Sequence, residues 1–183
     1  ERFHGANGPL NVLNLQSPSP LNNAFIKAAQ AQGIPYNPDY NGAEQFGCFE
    51  YQLTQKNGER HGARAAYLAP AMQRANLKVI TGAVVDKIEF EQRRASGLRV
   101  LVNGQARVIR ARREVVISGG AFGSPQVLLR SGIGPGEELR GLGIDVVADL
   151  AGVGKNLQDH LDLTVYAHLK DPISYLRYQA PHR

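Results

Sequence analysis

The chain has 183 residues, of which 43% are hydrophobic and 20% charged, a balance normal for one modest soluble domain with its own core. Its net charge of +5 accompanies no nucleic-acid-binding motif, and we interpret the scattered arginines as a solvated sheet face, with an electrostatic funnel for an anionic cofactor as the alternative. No apolar run reaches membrane-spanning length. Cys48 is the single cysteine and allows no disulfide within the chain, which is typical of a reducing compartment. We therefore expect a cytoplasmic protein and leave a peripheral association with the inner membrane open.

The first third of the chain predicts one helix between two strands. Turn-forming residues dominate at the start, and residues 10–15 predict a weak edge strand. Apolar residues at helical spacing predict a helix over residues 20–32, which Gly33 closes. A loop over residues 34–47 precedes a loosely alternating strand over residues 46–53. We interpret the aromatic side chains of that strand as core packing rather than pocket lining.

The middle of the chain predicts a second helix and an antiparallel β-meander. Residues 63–75 have helical spacing, with Pro70 separating the first turns from the rest. Four apolar runs then predict strands, over residues 77–81, 84–90, 98–102 and 106–109. An Asn-Gly pair at 103–104 predicts a tight turn between the last two, and the pair at 57–58 predicts another turn.

The next segment predicts a buried strand, a glycine turn and a helix. Residues 114–118 form a short β-branched run, and Gly119 and Gly120 permit both unusual dihedrals and the close approach of a ligand. Ser124 is a good N-cap and Pro125 suits the first helical position, so we expect the helix to begin there. A glycine turn opening onto a helix N-terminus suits an anionic group, although an ordinary βα turn is the alternative.

The last part of the chain predicts shorter elements. Gly132 and Gly134 are expected to end the preceding helix. A short helix over residues 137–142 and a strand over 144–147 follow, and residues 161–169 predict a strand that Pro172 ends. No repeat and no low-complexity segment is present.

Two long motifs identify a family resemblance. The first runs over residues 120–134 as Gly-Ala-Phe-Gly-Ser-Pro-Gln-Val-Leu-Leu-Arg-Ser-Gly-Ile-Gly, and the second over residues 152–160 as Gly-Val-Gly-Lys-Asn-Leu-Gln-Asp-His. In this order and separation they resemble hallmarks of the glucose–methanol–choline (GMC) flavoprotein oxidoreductases, in particular the bacterial choline and aliphatic-alcohol dehydrogenases. The resemblance implies an α/β fold with α+β elements: the central part of a GMC-type FAD-binding domain with a β-meander, plus pieces of the substrate-binding domain.

The same resemblance implies how the chain is divided. Residues 1–55 are expected on the substrate side, residues 56–160 in the FAD-binding domain, and residues 161–183 in a return to the substrate side. The phosphate-binding G-x-G-x-x-G motif of the family is not found in the sequence. We therefore expect an internal fragment of a longer protein.

The cofactor implied by the resemblance is FAD. The backbone of Val85 is expected against the adenine ring, and the turn Ser118, Gly119, Gly120 and Ala121 is expected near the pyrophosphate. No catalytic residue is expected in this chain, because the catalytic histidine of the family lies far towards the C-terminus, and a structural role is favoured for His160. The five histidines lack metal-ligand spacing, so no metal site is expected.

The function implied is oxidation of a primary alcohol, either choline or an aliphatic alcohol, by hydride transfer to flavin. The electron acceptor stays open, no nucleic acid or transmembrane segment is expected, and the chain alone is expected to be inactive. One alternative is a non-catalytic fragment or pseudo-enzyme module. Another is a nicotinamide-dependent reductase, which requires a G-x-G-x-x-G turn followed by an acidic residue about 20 positions later.

Overall fold

The computed structural model describes residues 2–171 and 173, which fall into two compact units. The first unit contains the described residues up to Val79 and those from Val165 onward, and the second is Ile80–Thr164. Helices and strands are mixed along the chain, which confirms the expected fold class. No helix among the described residues combines the length and the apolar character needed to cross a bilayer.

The first unit begins with helix α1, Pro20–Ala31, which confirms the predicted helix. The hydroxyl of Ser19 caps it by accepting a hydrogen bond from the backbone N–H of Leu21 at 3.3 Å. Pro20 occupies the first turn, where a missing N–H costs no helical hydrogen bond. Gly33 follows the helix with φ of +85°, as expected for a glycine that ends a helix.

The predicted strands over residues 10–15 and 46–53 are wrong, because each is reduced to isolated bridges. Leu13 and Leu53 exchange two backbone hydrogen bonds of 3.0 and 2.8 Å, and Tyr36 forms one bridge with Cys48. The side chain of Asn11 donates to the carbonyl of Gln55 at 2.6 Å. The backbone N–H of Asn11, which a longer strand pair would use, donates to His61 Nδ1 at 3.3 Å instead, so the ladder does not extend.

A short hairpin and a π-helical turn complete the first unit. Strands β1, Gln55–Lys56, and β2, Glu59–Arg60, flank the predicted Asn-Gly turn at 57–58, whose two residues have φ of +53° and +79°. The helix predicted over 63–75 is confirmed in part: a π-helical turn, Arg64–Leu68, continues into the three-residue helix α2, Ala69–Ala71, and the last four predicted residues are not helical. Proline at position 70 has no N–H to continue the regular ladder, which accounts for the wider turn before it.

The second unit is built on the predicted antiparallel meander. Its strands are β3, Ala83–Glu91, β4, Arg94–Val102, and β5, Gln105–Arg110, in that spatial order. The Asn-Gly turn between the last two has φ of +51° and +77°, as a two-residue hairpin requires. The register passes from the Val85–Val100 pair to the Lys87–Arg99 pair, so Asp86 is the extra residue of a β-bulge.

Two helices and a parallel strand pair follow the meander. They are α3, Gly120–Arg130, β6, Ile133–Gly134, α4, Gly136–Gly141, and β7, Ala148–Asp149. Gly132 closes α3 with φ of +80°, and a Cβ at this position would collide with the carbonyl oxygen of Asp145. The most deeply buried large side chain of the described residues is Leu139 of α4, which is 1% exposed.

The remaining predicted strands are wrong, and they share one cause. Residues 77–81, 114–118, 144–147 and 161–169 form no strand, and the predicted end at Pro172 lies outside the described residues. A strand needs a neighbouring strand for its backbone hydrogen bonds, which an apolar pattern alone does not supply. Val116 is accordingly 73% exposed, and parallel pairing with β6 begins only at Ala148.

Candidate functional site

Helix α3 begins five residues earlier than the sequence predicts. Its first residue is Gly120 and its N-cap is Gly119, whereas Ser124 and Pro125 lie inside the helix. The positive φ of Gly120 allows the chain to turn into the helix at this earlier point. The Ser124 hydroxyl still serves the helix N-terminus, because it accepts a hydrogen bond from the backbone N–H of Gly119 at 2.9 Å.

The two glycines of the turn are required for different reasons. Gly120 has φ of +78°, and a Cβ built on it finds no atom within 4 Å, so its backbone faces open space. Gly119 has an ordinary φ of −84°, but its Cβ would lie 3.1 Å from backbone atoms of Gly123 and Ser124. Conformation therefore demands glycine at 120, and close packing favours it at 119.

The turn offers donors to an anion. The first N–H groups of a helix have no partner within it, and they lie at the positive end of the helix dipole. No acidic residue occupies the first turn of α3, and Ser118, Gly119, Gly120 and Ala121 are all exposed. Because the N–H of Gly119 is bound to Ser124, the available donors begin at Gly120. An open backbone cradle of this kind fits the pyrophosphate of FAD.

Val85 lies on a different element from the glycine turn. It is half-buried in β3 and pairs with Val100 immediately before the bulge residue Asp86. A bulge interrupts the regular ladder and leaves backbone groups for other partners. Strand β3 lies at an edge of the β3-β4-β5 sheet, and the backbone contact of Val85 with the adenine ring stays a prediction.

An arginine from α3 reaches this bulge. The Nε of Arg130 donates to the backbone carbonyl of Asp86 at 3.1 Å, and its Nη2 donates to the Asp86 carboxylate. The guanidinium hydrogen bond lowers the pKa of the Asp86 carboxyl, against the smaller opposing effect of burial. The two residues are 44 positions apart, and no local sequence pattern identifies them as partners.

A second hydrogen bond joins the same two elements. The Ser131 hydroxyl accepts from the backbone N–H of Ile88 at 2.8 Å, and it donates to the carbonyl of Val127 within its own helix. The C-terminal end of α3 is thus hydrogen-bonded to β3 at two residues, Asp86 and Ile88. Val85, which immediately precedes the bulge residue, lies on the same strand.

The second motif lines an apolar groove beside the first. This groove has a volume of about 790 Å³ and lies between α3, α4 and the 152–157 segment, with apolar lining from Phe122, Leu129, Leu139, Leu142 and Leu157. Gly154 has φ of +77°, and a Cβ on it would lie 3.3 Å from Leu129. Lys155 also forms an ion pair of 2.7 Å with Glu138. The two motifs are therefore neighbours in space.

His160 lies on an exposed segment beyond the groove. Its backbone N–H donates to the Asp159 carboxylate at 2.8 Å, and among residues 2–171 and 173 no hydrogen bond to its imidazole ring is found. A catalytic base is commonly oriented by such a partner. Within the same described residues, no group of three His, Cys, Asp or Glu side chains could hold a metal ion.

The chain is similar to curated choline dehydrogenases over almost its whole length. It is 43% identical to the mitochondrial choline dehydrogenase of Homo sapiens over 182 residues, which are 100% of this chain and 31% of that protein. It is 46% identical to the oxygen-dependent choline dehydrogenase of Chromohalobacter salexigens over 175 residues, which are 94% of this chain and 31% of that protein. The chain therefore spans about a third of the length of these relatives.

Solved structures of similar fold are an oxidoreductase and an oxidase by name. An FAD-dependent oxidoreductase from Chaetomium thermophilum matches with a TM-score of 0.81 and 29% identity, over 86% of this chain and 28% of that one. Pyridoxine 4-oxidase from Mesorbium loti matches with a TM-score of 0.73 and 33% identity, over 80% of this chain and 29% of that one.

The family assignment follows from the sequence itself as well as from these similarities. The GMC oxidoreductase family profile matches residues 1–162, which include both motifs. The predicted resemblance is confirmed, and the chain belongs to the GMC oxidoreductase family.

Proposed function

We propose that this chain forms part of the flavin site of an FAD-dependent oxidoreductase that oxidises a primary alcohol, either choline or an aliphatic alcohol. The observation that carries the proposal is the 43% identity to a choline dehydrogenase across 100% of the chain, both motifs included. The open glycine turn at the start of α3 supports it independently, since that turn suits a pyrophosphate.

The chain contributes binding and orientation. Backbone N–H groups from Gly120 onward bind the pyrophosphate, and Ser118, Gly119 and Ala121 shape the turn around it. The backbone N–H and C=O of Val85 read the edge of the adenine ring, which requires no special side chain. FAD supplies the two-electron acceptor chemistry at its flavin ring when bound.

We assign no catalytic base to this chain. His160 keeps a structural role in this proposal, and the base is expected within the greater part of the relatives' length that the chain does not span. We propose that the unit Ile80–Thr164 carries the flavin contacts. Residues 1–55 and 161–183 remain our proposed substrate-side segments, with 56–160 as the FAD-binding segment. A cytoplasmic location is proposed as well, with a peripheral association with the inner membrane as the alternative, and cell fractionation distinguishes the two.

The experiment uses the parent polypeptide purified with FAD. We expect a flavin absorbance spectrum that is bleached under anaerobic conditions by choline or by an aliphatic alcohol, but not by the corresponding carboxylic acid. A colourless protein that gains no flavin absorbance on incubation with FAD contradicts the proposal. A protein that binds FAD, but whose flavin is reduced neither by choline nor by an aliphatic alcohol, supports the pseudo-enzyme alternative. Flavin reduction by a reduced nicotinamide cofactor alone supports a reductase.

A further inference from the structure

The contact between Arg130 and Asp86 differs from the other ion pairs of the same sheet. Arg99 with Glu89 and Arg110 with Glu91 join side chains only, at 2.7 and 2.8 Å. Arg130 instead binds both the carboxylate of Asp86 and its backbone carbonyl. It therefore fixes the main chain of the bulge as well as a charged side chain.

Arg130 lies at the opposite end of α3 from the glycine turn, so its contact with Asp86 also affects the position of that turn. Helix α3 has 11 residues, which corresponds to about 16 Å between the glycine turn at its start and Arg130 at its end. A helix of this length is stiff, so a movement of its C-terminal end also moves its N-terminal turn. The Ser131–Ile88 hydrogen bond provides the second attachment, which limits rotation about the first.

We propose that Arg130 and Asp86 are positioning residues that set the distance and orientation between the Val85 backbone and the Gly120 turn. This inference rests on the proposed function, because it takes Val85 and Gly120 to contact the adenine and the pyrophosphate of one FAD molecule. Neither side chain need touch the cofactor. Their effect on binding arises because a ligand that contacts both elements is held best when the spacing between them is already correct.

The alternative is that the pair contributes only to stability. Arg130 is 55% exposed at its side chain, and exposed ion pairs stabilise a fold weakly. A weak general effect on folding would alter the binding of every flavin compound to the same degree. A positioning effect would instead be confined to ligands that reach both the Gly120 turn and Val85.

The test compares FAD with FMN, which carries the flavin ring and one phosphate but no adenosine. The parent polypeptide is prepared free of flavin, and the Kd of each ligand is measured by flavin fluorescence for the wild type, Arg130→Gln and Asp86→Asn. We expect the Kd for FAD to rise about tenfold in Arg130→Gln, equivalent to the loss of one charge-assisted hydrogen bond. We expect the Kd for FMN to change less than about twofold, within the uncertainty of additivity for independent sites.

Two further variants sharpen the result. Arg110→Gln removes an arginine and an ion pair from the same sheet without touching α3, and it should leave both Kd values unchanged. The double variant Asp86→Asn with Arg130→Gln should bind FAD no more weakly than Arg130→Gln alone, because the two residues act as one unit. Asp86→Asn keeps the backbone carbonyl contact, so its effect on FAD should be smaller than that of Arg130→Gln.

The outcomes separate this inference from the function on which it rests. Equal losses of FAD and FMN affinity in Arg130→Gln, or no loss of either, would overturn the positioning role while leaving the flavin function intact. The same holds if Arg110→Gln weakens FAD binding as much as Arg130→Gln does. Failure of the wild type to bind FAD at all contradicts the proposed function and this inference together. If Arg130→Gln does not fold, Asp86→Asn with the same ligand pair decides the matter.

Discussion

The hydroxyl of Ser131 accepts a hydrogen bond from the backbone N–H of Ile88 at 2.8 Å, across 43 positions of sequence. Both residues are 6% exposed, so water does not substitute readily for either partner. Ser131 is the C-cap of α3, and Ile88 belongs to the core of β3. A single buried hydroxyl therefore connects the helix that carries the glycine turn to the strand that carries Val85.

Replacing Ser131 with alanine should destabilise the protein. The N–H of Ile88 would be left buried without an acceptor, which costs about 1–3 kcal/mol of the free energy of unfolding. Urea unfolding of the flavin-free protein measures the loss. Ser96→Ala is the matched control, since Ser96 is 8% exposed and donates to the carbonyl of Glu89 at 3.2 Å. Its cost should be smaller, because an under-satisfied carbonyl is tolerated better than an orphaned N–H. An equal or larger loss in Ser96→Ala would contradict this account.

Two glycines in the first turns of α3 should respond oppositely to alanine. Gly120→Ala forces a side chain into φ of +78° and should cost about 1–2 kcal/mol in stability together with a loss of FAD affinity. A Cβ on Gly123 also finds no atom within 4 Å, but its φ is not in the left-handed region, so Gly123→Ala should stabilise the helix by roughly 0.5–1 kcal/mol. Thermal unfolding and FAD titration of both variants measure these effects. Equal flavin occupancy in Gly120→Ala and the wild type would refute a role in binding pyrophosphate.

The ion pair of Asp86 should give a defined pH dependence. Arg130 holds the pKa of the folded Asp86 carboxyl below its usual value of 3.8. The stability that the carboxylate contributes is therefore complete above the unfolded pKa and is lost as the pH falls through the folded pKa. Since Arg130 is largely exposed, we expect the wild type to exceed Asp86→Asn by about 1 kcal/mol or less in the free energy of unfolding near neutral pH.

That difference should shrink below about pH 4 and should also be reduced by salt. Urea unfolding of both proteins at a series of pH values, at low and high ionic strength, provides the measurement. If the difference in the free energy of unfolding between the wild type and Asp86→Asn stays constant down to the most acidic pH, the ionisation of Asp86 does not contribute to stability.

The chain by itself should not oxidise alcohols, with or without FAD. General base catalysis typically contributes about 10²- to 10⁴-fold, and no catalytic base is assigned among these residues. The assay mixes the purified chain, FAD, a dye acceptor and a panel of primary alcohols. Turnover that persists in His160→Ala would contradict the expectation that the chain is inactive. Turnover that His160→Ala abolishes would assign catalysis to His160, against the structural role favoured for it.

Local sequence signals correctly predicted the elements whose hydrogen bonds join residues that are near each other in the sequence. The Asn-Gly turn at 103–104 predicts its hairpin because both residues tolerate positive φ, and β4 and β5 then pair through adjacent residues. Helix α1 has its cap, its first-turn proline and its closing glycine within its own segment. The glycine turn at 119–120 is likewise visible in sequence, although the true start of α3 depended on the dihedral angles of Gly120.

What the sequence by itself determined was thus the family, the meander, α1 and the position of the glycine turn. The tertiary structure decided which apolar runs became strands, because pairing requires a partner that residues 114–118 do not have within the described chain. It also decided the β-bulge at Asp86 and the attachment of Arg130 to it, which depend on packing between α3 and β3. These contacts join residues 44 positions apart, and only the folded chain brings their donors and acceptors within hydrogen-bonding distance.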